Sequence, residues 1–364
     1  MGHDKLRKFA ENETFSCLLQ PSAQELLADG YFHLRDHSIK GNWNNFFCLP
    51  VAGSPRQNFA LRAHPSQPDG WAPPVHEATG GHGFAGETGN PAAREIVLEL
   101  GCGKGEYTVA LAERDPERNY IGVDIKGARL WKGAKYATEH ALPNVAFLRT
   151  RVEFITAFFA PGEVSEIWLT FSDPQYRSEN SRLSSPLFLE RYRSFMKPGG
   201  IVHLKTDSRF LHEYTRAVCE ANGLRILACT TDLYGTADNE PDGSSPRKTS
   251  GCAGPLPSGD GPLPLTMPRV ARFSGGTAAP ASTLSAIQPV VKEVQTFYEQ
   301  LFLEQGYPIT YLSFVIDHEG PYVSPRDPEQ FDSKAWRAAE GPRLLFGHDS
   351  AETRRQKLHA AEEA

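Results

Sequence analysis

A glycine-rich turn between a buried strand and a helix constrains the fold of this chain more than any other feature. The segment LELGCGKGEYTVALAE, residues 98–113, places Gly101, Gly103 and Gly105 where an apolar strand ends and a helix begins. Glycines in such a turn let the backbone pass close to a nucleotide. The turn therefore predicts a nucleotide-type cofactor at the end of this strand.

Strands and helices alternate regularly along the chain on both sides of the turn. The predicted strands cover residues 95–100, 119–125, 144–150, 164–171, 201–206, 224–231 and 309–316. The predicted helices cover residues 105–114, 126–141, 185–196, 208–221 and 289–304. This order predicts an α/β fold with a doubly wound, mostly parallel, seven-stranded Rossmann-like sheet. The last strand follows a long excursion, so we expect it to be antiparallel and to lie at the sheet edge.

Two segments have compositions that do not support a packed core. Residues 50–92 and 236–286 are rich in Pro and Gly and poor in aliphatic side chains, so we expect both to be flexible insertions. The remaining parts are a basic N-terminal arm and lead-in over 1–49, a core over 93–235, a core completion with the last helix and strand over 287–318, and a polar tail over 319–364. A surface helix is predicted in the tail, near residues 333–363.

Net charge, cysteine spacing and the length of apolar runs limit the classes of function that are expected. The net charge is −6, so no global basic field marks the chain as a nucleic-acid binder. The six cysteines are scattered and form no C-x-x-C pair, which favours free thiols in a reducing cytosol and predicts no metal site. No apolar run approaches the roughly 20 residues of a spanning helix, and the N-terminus lacks the apolar segment of a secretory signal. We therefore expect a soluble, cytoplasmic protein without a membrane partner.

Two acids lie next to the glycine turn and indicate the kind of cofactor. Glu99 stands two residues before the first glycine, and Asp124 ends the second strand. A carboxylate at the position of Glu99 repels a pyrophosphate but suits the cationic, amino-bearing end of S-adenosylmethionine, while Asp124 can accept from both ribose hydroxyls. A nicotinamide dehydrogenase is the competing interpretation, but its third glycine is replaced by Glu106. The pair favours a class I methyltransferase.

The fourth strand ends in the sequence Asp173-Pro174-Gln175-Tyr176. In this fold a ligand binds outside the carboxyl ends of the strands, so Asp173 is expected beside the cofactor crevice. The four residues are also similar to the D-P-P-Y signature of enzymes that methylate an exocyclic amino group of a base. Gln175 replaces the second proline of that signature. Asp-Pro is in addition a common turn sequence.

A family resemblance covers both ends of the core. The segments KLRKFAENETF, LELGCGKGEYTVALAE, IGVDIKGARLWKGAK, FLRTRVEFI, FFAPGEVSEIWLTFSDPQ, SPLFLERYRSFMKPGGIVHLKTDS and TFYEQLF resemble tRNA (guanine-N7-)-methyltransferases, in the branch with D-P-Q in the fourth-strand motif. The resemblance skips the insertions and the tail. It implies S-adenosyl-L-methionine as cofactor, tRNA as partner, and methylation of N7 of a guanine in the variable loop.

The resemblance also assigns roles to individual residues. It implies that Asp173 is catalytic, between cofactor and base. The implied cofactor-binding residues are Glu99, Gly101, Gly103, Asp124, Arg151 and Asp173, and the implied substrate-binding residues are Arg177, Asp207, Thr296, Phe297, Tyr298 and Glu299. Arg151 stands where the family often has an acid or amide, so only a backbone contact is carried over for it. No metal is implied.

The chain departs from the family after Asp173, where a dense run of lysine and arginine is expected. Arg177 falls on a substrate-binding lysine and keeps its charge, but a guanidinium is a planar fork and not a point charge. Residues 177–225 still hold nine Lys/Arg against five Asp/Glu. An N-terminal arm with Lys5, Arg7 and Lys8 adds cations that can reach phosphates. The predicted RNA-binding surface therefore has fewer cations than is usual in the family, but it is retained. Two alternatives stay open: an exocyclic amino-methyltransferase, and a non-catalytic tRNA-binding protein derived from this family.

Overall fold

The structure is a computed structural model that describes five stretches of the chain. These are residues 3–27, 33–47, 94–235, 289–325 and 328–340. The chain divides into two compact units, of which the first comprises residues 1–240 and 277–326 and the second comprises residues 241–276 and 327–364. The two expected insertions, 50–92 and 236–286, lie outside the described residues.

Eight strands of the first unit form a single sheet. In chain order they are β1 (Leu18–Leu19), β2 (Ile96–Leu100), β3 (Asn119–Asp124), β4 (Val145–Arg149), β5 (Val164–Thr170), β6 (Met196–Thr206), β7 (Ile226–Thr230) and β8 (Thr310–Val315). Their order across the sheet is β1-β4-β3-β2-β5-β6-β8-β7. Neighbouring strands are parallel except in the two pairs that include β8, which are antiparallel. The doubly wound, mostly parallel α/β sheet predicted from the sequence is confirmed.

Helices connect the strands of this unit. In chain order they are α1 (His3–Asn12), α2 (Ala23–Leu26), α3 (Trp43–Phe47), α4 (Glu106–Arg114), α5 (Gly127–Glu139), α6 (Pro186–Arg193), α7 (Arg209–Ala221), α8 (Pro289–Glu293) and α9 (Phe297–Glu304). Local signals start several of them: Pro186 occupies the first position of α6, and the hydroxyl of Ser208 accepts from Leu211 N at 3.1 Å to cap α7. In the described part of the chain, no helix is both long and apolar enough to cross a membrane.

The central strands are buried along their whole length because helices cover both faces of the sheet. Every residue of β2 and β3 is buried, as expected for strands inside a parallel sheet. Phe147 of β4 packs where α4 and α5 approach the sheet. A Cβ at Gly105 would lie 2.4 Å from the Phe147 ring, and one at Gly133 would lie 2.5 Å from it. Glycine is therefore required at these two positions for α4 and α5 to pack against Phe147.

The position and number of strands differ from the prediction in two respects. The two-residue strand β1 pairs with β4 and raises the count from seven to eight, because so short a strand leaves no alternating pattern in the sequence. The last strand, β8, is antiparallel as predicted but lies between β6 and β7, so the edge strand is β7. Burial follows this order, since all six residues of β8 are buried whereas only one of five in β7 is.

The helix predicted over 289–304 is two helices, α8 and α9, with a break at 294–296. Thr296 caps α9: its hydroxyl accepts from Glu299 N at 3.3 Å, and the Glu299 carboxylate accepts from Thr296 N at 3.4 Å. This reciprocal arrangement is a capping box. Thr-x-x-Glu is therefore a helix-start signal in this chain, and it divides a segment whose apolar pattern is continuous.

The second unit contributes one short segment to the described residues. A 3-10 turn over Pro328–Phe331 precedes α10 (Ser333–Glu340), and Asp332 caps this helix by accepting from Ala335 N at 2.7 Å. The indole of Trp336 donates to Gln330 O at 2.7 Å. The helix predicted near 333–363 thus begins at the predicted residue, and its part beyond residue 340 lies outside the described residues.

Candidate active site

Four acids predicted from the sequence stand at one edge of the sheet. The strands β3, β2, β5 and β6 are adjacent and parallel, so their carboxyl ends meet at the same edge. Asp124 is the last residue of β3, Glu99 is the second-last of β2, Asp173 follows β5 by three residues, and Asp207 follows β6 directly. The structure therefore places these acids in the order Asp124, Glu99, Asp173, Asp207 along the edge where ligands bind in this fold.

The backbone of the glycine turn, which follows Glu99, is accessible to a ligand. Gly101 and Gly103 have φ of 79° and 58°, a left-handed conformation that favours glycine. Both the Gly101 and Cys102 amides donate to Val123 O, at 2.8 and 3.0 Å, which ties the turn to β3. A Cβ on Gly101 or Gly103 would meet no atom within 4 Å. The backbone here faces space that a ligand can enter; cofactor binding by these two glycines stays a prediction.

Asp124 is held against this turn by two backbone amides. Its Oδ2 accepts from Gly103 N at 3.0 Å and its Oδ1 from Lys126 N at 2.7 Å. The side chain is buried and fixed in orientation before any ligand binds. Ile125 follows it and is a large exposed apolar residue. Ile125 was missed in the sequence, because one apolar residue after an acid gives no distinct signal.

Glu99 is a buried carboxylate with neutral partners. It is 3% exposed, its Oε2 accepts from the Thr108 amide at 2.8 Å and from the Thr108 hydroxyl, and its Oε1 accepts from the Thr170 hydroxyl. Among the described residues, no cationic side chain forms an ion pair with it. Burial raises the pKa of Glu99 to about 7; the hydrogen bonds from the two threonines oppose this shift, and Asp124 adds to it. The site therefore provides an oriented carboxyl group that no cation of the described residues neutralises.

The loop after β5 presents Asp173 between two left-handed residues. Phe171 and Gln175 have φ of 48° and 47°, which is rare for residues with a Cβ. The Asp173 side chain is exposed, and its Oδ1 accepts from Gln175 N at 2.9 Å. Strained backbone of this kind is concentrated at functional sites, where the surrounding structure holds it. The loop thus places a carboxylate at the end of β5, the strand that pairs with β2.

Arg182 holds this loop in place. It is buried, and it donates to Pro174 O and Tyr176 O, both at 3.3 Å. Its guanidinium lies 4.7 and 4.3 Å from the ring centroids of Phe210 and Tyr214 in α7. The sequence predicts Arg182 to be part of a basic surface, but in the structure its guanidinium binds carbonyls of the loop. Arg177, in contrast, is exposed.

Asp207 and Arg151 occupy different surroundings. Asp207 is half-buried between β6 and the cap of α7. Arg151 is exposed, and its guanidinium lies 3.1 Å from Glu153 and 5.8 Å from the Phe154 ring. The preceding amide, Thr150 N, donates to Asp124 O at 3.2 Å. The backbone at 150–151 is thus next to a predicted cofactor residue, while the Arg151 side chain contacts its own turn.

The four residues Thr296 to Glu299 divide between the surface and the interior. Phe297 is 52% exposed, and the Lys104 ammonium of the glycine turn lies 5.0 Å from its ring and 5.9 Å from that of Tyr298. Glu299 is 0% exposed, and its Oε1 lies 2.7 Å from Lys205 Nζ. The Phe297 ring is accessible to a ligand, whereas the Glu299 carboxylate is buried and already paired with Lys205.

Within the stretches that the structure describes, no group of three or more His, Cys, Asp or Glu side chains is arranged to hold a metal ion. The polar groups at the sheet edge are carboxylates, hydroxyls and backbone amides. They are suited to a ligand that carries an amino group and ribose hydroxyls.

Comparisons with known proteins agree with this geometry. Residues 93–241 match the family model described as "Putative methyltransferase". The tRNA (guanine-N(7)-)-methyltransferase of Christiangramia forsetii is 38% identical over 315 residues, which are 86% of this chain and 98% of that protein. The protein of the same name from Bacteroides thetaiotaomicron is 41% identical over 63% of this chain and 72% of its own length, and that from Porphyromonas gingivalis is 42% identical over 60% and 70%.

Proposed function

The chain belongs to the tRNA (guanine-N(7)-)-methyltransferase family, and from this premise we propose that it transfers the methyl group of S-adenosyl-L-methionine to N7 of a guanine in tRNA. The observation that carries the proposal is the row of four acids on adjacent strand ends beside an open glycine turn. Fixed carboxylates at that edge can bind an amino group, ribose hydroxyls and the edge of a purine.

The residues at the glycine turn fit the cofactor. Glu99 accepts hydrogen bonds on both oxygens but has no cationic partner among the described residues, which suits the amino group of the methionine end. Asp124 is buried at the end of β3 and oriented for ribose hydroxyls, and the exposed Ile125 beside it can cover an adenine face. When bound, S-adenosyl-L-methionine supplies a methyl group activated by its sulfonium charge. The protein's contribution is to fix this donor and to exclude water.

The chemistry at the guanine needs positioning more than proton transfer. N7 carries a lone pair and no proton, so no general base has to act before attack. Asp173 and Asp207 stand on neighbouring strand ends and provide negative charge where the product ring becomes cationic. They can also accept from guanine N1–H and the N2 amine, which adenine does not offer. We therefore assign Asp173 a catalytic role and Asp207 a substrate-binding role.

Recognition of tRNA rests on its folded shape and phosphates. Arg177 is the exposed cation of the β5 loop, and its exposure supports a contact with a phosphate near the target base. The target guanine has to leave its stack to reach the sheet edge. The variable loop is the proposed location of this guanine, and the cytoplasm is the proposed location of the enzyme.

The direct test is methyl transfer to bulk tRNA that lacks N7-methylguanosine, followed by nucleoside analysis of the product. The proposal predicts N7-methylguanosine at one position of the variable loop. An N6- or N4-methylated base would identify an amino-methyltransferase instead. Cofactor binding without any methylated product would identify a non-catalytic tRNA-binding protein.

A further inference from the structure

Lys205 is a buried cation whose polar contacts lie in α8, in α9, in the segment that joins them and at Tyr234, which follows β7. Its ammonium also lies 5.4 Å from the centroid of the Tyr107 ring in α4. Lys205 stands in β6, two residues before Asp207, and is 0% exposed. Its Nζ donates to Val291 O at 2.6 Å and to Val294 O at 2.9 Å, and lies 2.7 Å from Glu299 Oε1. The hydroxyl of Tyr234, 3.4 Å from Nζ, donates to the same carboxylate at 2.6 Å.

These contacts explain why the chain breaks between the two helices. The last carbonyls of a helix have no partner inside it, and a cation at the C-terminal end stabilises them. Lys205 supplies the donors for the end of α8, and Glu299 in the first turn of α9 supplies the counter-charge. A single ammonium of the central sheet therefore fixes the end of one helix and the start of the next.

The start of α9 is held from a second side by the glycine turn. Phe297 N donates to Glu106 Oε2 at 3.0 Å, and Glu106 Oε1 also lies 3.0 Å from Lys132 Nζ. The Lys104 ammonium lies 5.0 Å from the Phe297 ring. Phe297 is thus an exposed aromatic residue beside the glycine turn, where the cofactor is predicted to bind. Exposed aromatic rings near a nucleotide site are stacking surfaces for bases.

We propose that Lys205 is a positioning residue which, through Glu299, holds the start of α9 so that Phe297 forms one wall of the site for the target nucleobase. This inference rests on the proposed function. Glu299 then supports this wall, and the Phe297 ring is the part that contacts the nucleobase. Substrate affinity then depends on a buried ion pair that touches neither substrate nor cofactor.

A double-mutant cycle tests this connection, because independent sites contribute additively whereas a support and the residue it supports do not. The variants are Lys205→Met with Glu299→Gln, which removes both buried charges together, Phe297→Ala, and the combination of all three. Lys197→Met is the matched control, since Lys197 lies on the same strand but its side chain is 40% exposed.

We expect the KM for tRNA to rise about tenfold in the Lys205/Glu299 variant and about tenfold in Phe297→Ala, from the loss of one stacking contact. The triple variant should show no further rise, and affinity for S-adenosylhomocysteine should stay within about twofold throughout. An additive loss of about a hundredfold in the triple variant would overturn the proposal, as would a lowered melting temperature without any change in KM.

Hydrogen exchange of residues 289–304 gives a readout that does not need tRNA. Exchange at the start of α9 should become faster in the Lys205/Glu299 variant and remain at the wild-type rate in Phe297→Ala and Lys197→Met. Unchanged exchange in the Lys205/Glu299 variant would overturn the positioning role even if the enzyme methylates tRNA. Wild-type protein that makes no N7-methylguanosine would instead contradict the proposed function, while the exchange result still decides whether Lys205 holds α9.

Discussion

Glu99 and Glu299 are both buried near the carboxyl end of the sheet, but their surroundings differ in one respect. Glu299 has its own cation, since Lys205 Nζ lies 2.7 Å from its carboxylate. Glu99 receives hydrogen bonds from two threonines and one amide and has no ion-pair partner among the described residues. A buried charge requires compensation. The compensation of Glu299 is internal, which indicates a structural role. The described residues supply no cation to Glu99, and we propose that a cationic ligand does so.

The ion-pair partners of an acid at the edge of the sheet therefore indicate its role. A carboxylate that the fold has already neutralised supports other residues, and a carboxylate that lacks a cation is available to a ligand. Asp173 is an exposed acid, and we propose that it contacts the ligand directly. The predictions below test these three environments and then the analogous contrast between two arginines.

The largest effect is expected at the exposed acid. Asp173→Ala should lower turnover about a hundredfold or more, because it removes a fixed negative charge next to the developing cation. Affinity for S-adenosylhomocysteine should change little. Single-turnover methylation with saturating cofactor measures the first, and calorimetry measures the second. Asp36→Ala, an exposed acid of the N-terminal lead-in, is the control, and near wild-type turnover in Asp173→Ala would contradict its catalytic role.

A large effect on stability is expected when Glu299 loses its cation. Lys205→Met should lower the free energy of unfolding by about 3 kcal/mol, because it leaves a buried carboxylate uncompensated. Adding Glu299→Gln should restore a substantial part of this loss, since the unpaired charge is then absent. Urea unfolding of the three proteins measures the difference. A double variant no more stable than Lys205→Met would show that the ion pair is not what stabilises this segment.

The pH dependence of cofactor binding should report Glu99. Its raised pKa, about 7, means that the carboxyl group is largely neutral in slightly acidic solution and charged above neutrality. Affinity for S-adenosylhomocysteine should therefore rise about tenfold between about pH 6 and about pH 8. The folded protein holds this proton more firmly than the unfolded chain, so the stability that Glu99 contributes falls as pH rises through about 7.

Variants separate this dependence from other titrations. Glu99→Gln should abolish the rise in affinity, and Glu299→Gln should retain it, when both are titrated by calorimetry at the same two pH values. A rise that persists in Glu99→Gln would assign the titration to a different group.

The smallest effect is expected at the exposed arginine of the β5 loop. Arg177→Gln should raise the KM for tRNA about two- to fivefold and reduce the slope of log affinity against log salt by about one. Arg182→Gln should leave the slope unchanged and lower turnover, because the Arg182 charge binds loop carbonyls and the rings of α7. Filter binding over a range of salt concentrations distinguishes them. Equal slopes in Arg177→Gln and wild type would remove Arg177 from the phosphate contacts.

The sequence predicts the cofactor side of the site because its signals are local. Strand ends, the glycine turn and the two acids Glu99 and Asp124 lie within short segments, and parallel pairing of neighbouring strands brings their ends together. Asp173 and Asp207 are located by the same logic. Their roles follow from the family resemblance, because the position of a strand end does not specify the chemistry of its acid.

The substrate side is less predictable because its contacts join distant parts of the chain. Lys205 lies in an apolar strand, and its partner Glu299 belongs to a helix that follows a long intervening segment. Arg182 appears as a surface charge until α7 brings Phe210 and Tyr214 against it. The Thr-x-x-Glu pattern carries two signals: a capping box, which the structure shows, and a family motif that predicts substrate contact.

The most direct test of the contrast between the two buried glutamates is a pair of calorimetric titrations with S-adenosylhomocysteine. Glu99→Gln should weaken binding about a hundredfold, because it removes the charge of a buried carboxylate that has no ion-pair partner among the described residues and that we propose binds the ligand's amino group. Glu299→Gln should change the affinity by less than about twofold, because its charge is already balanced by Lys205. Equal losses in the two variants, or a loss in Glu299→Gln alone, would contradict the distinction between a ligand-binding and a supporting acid.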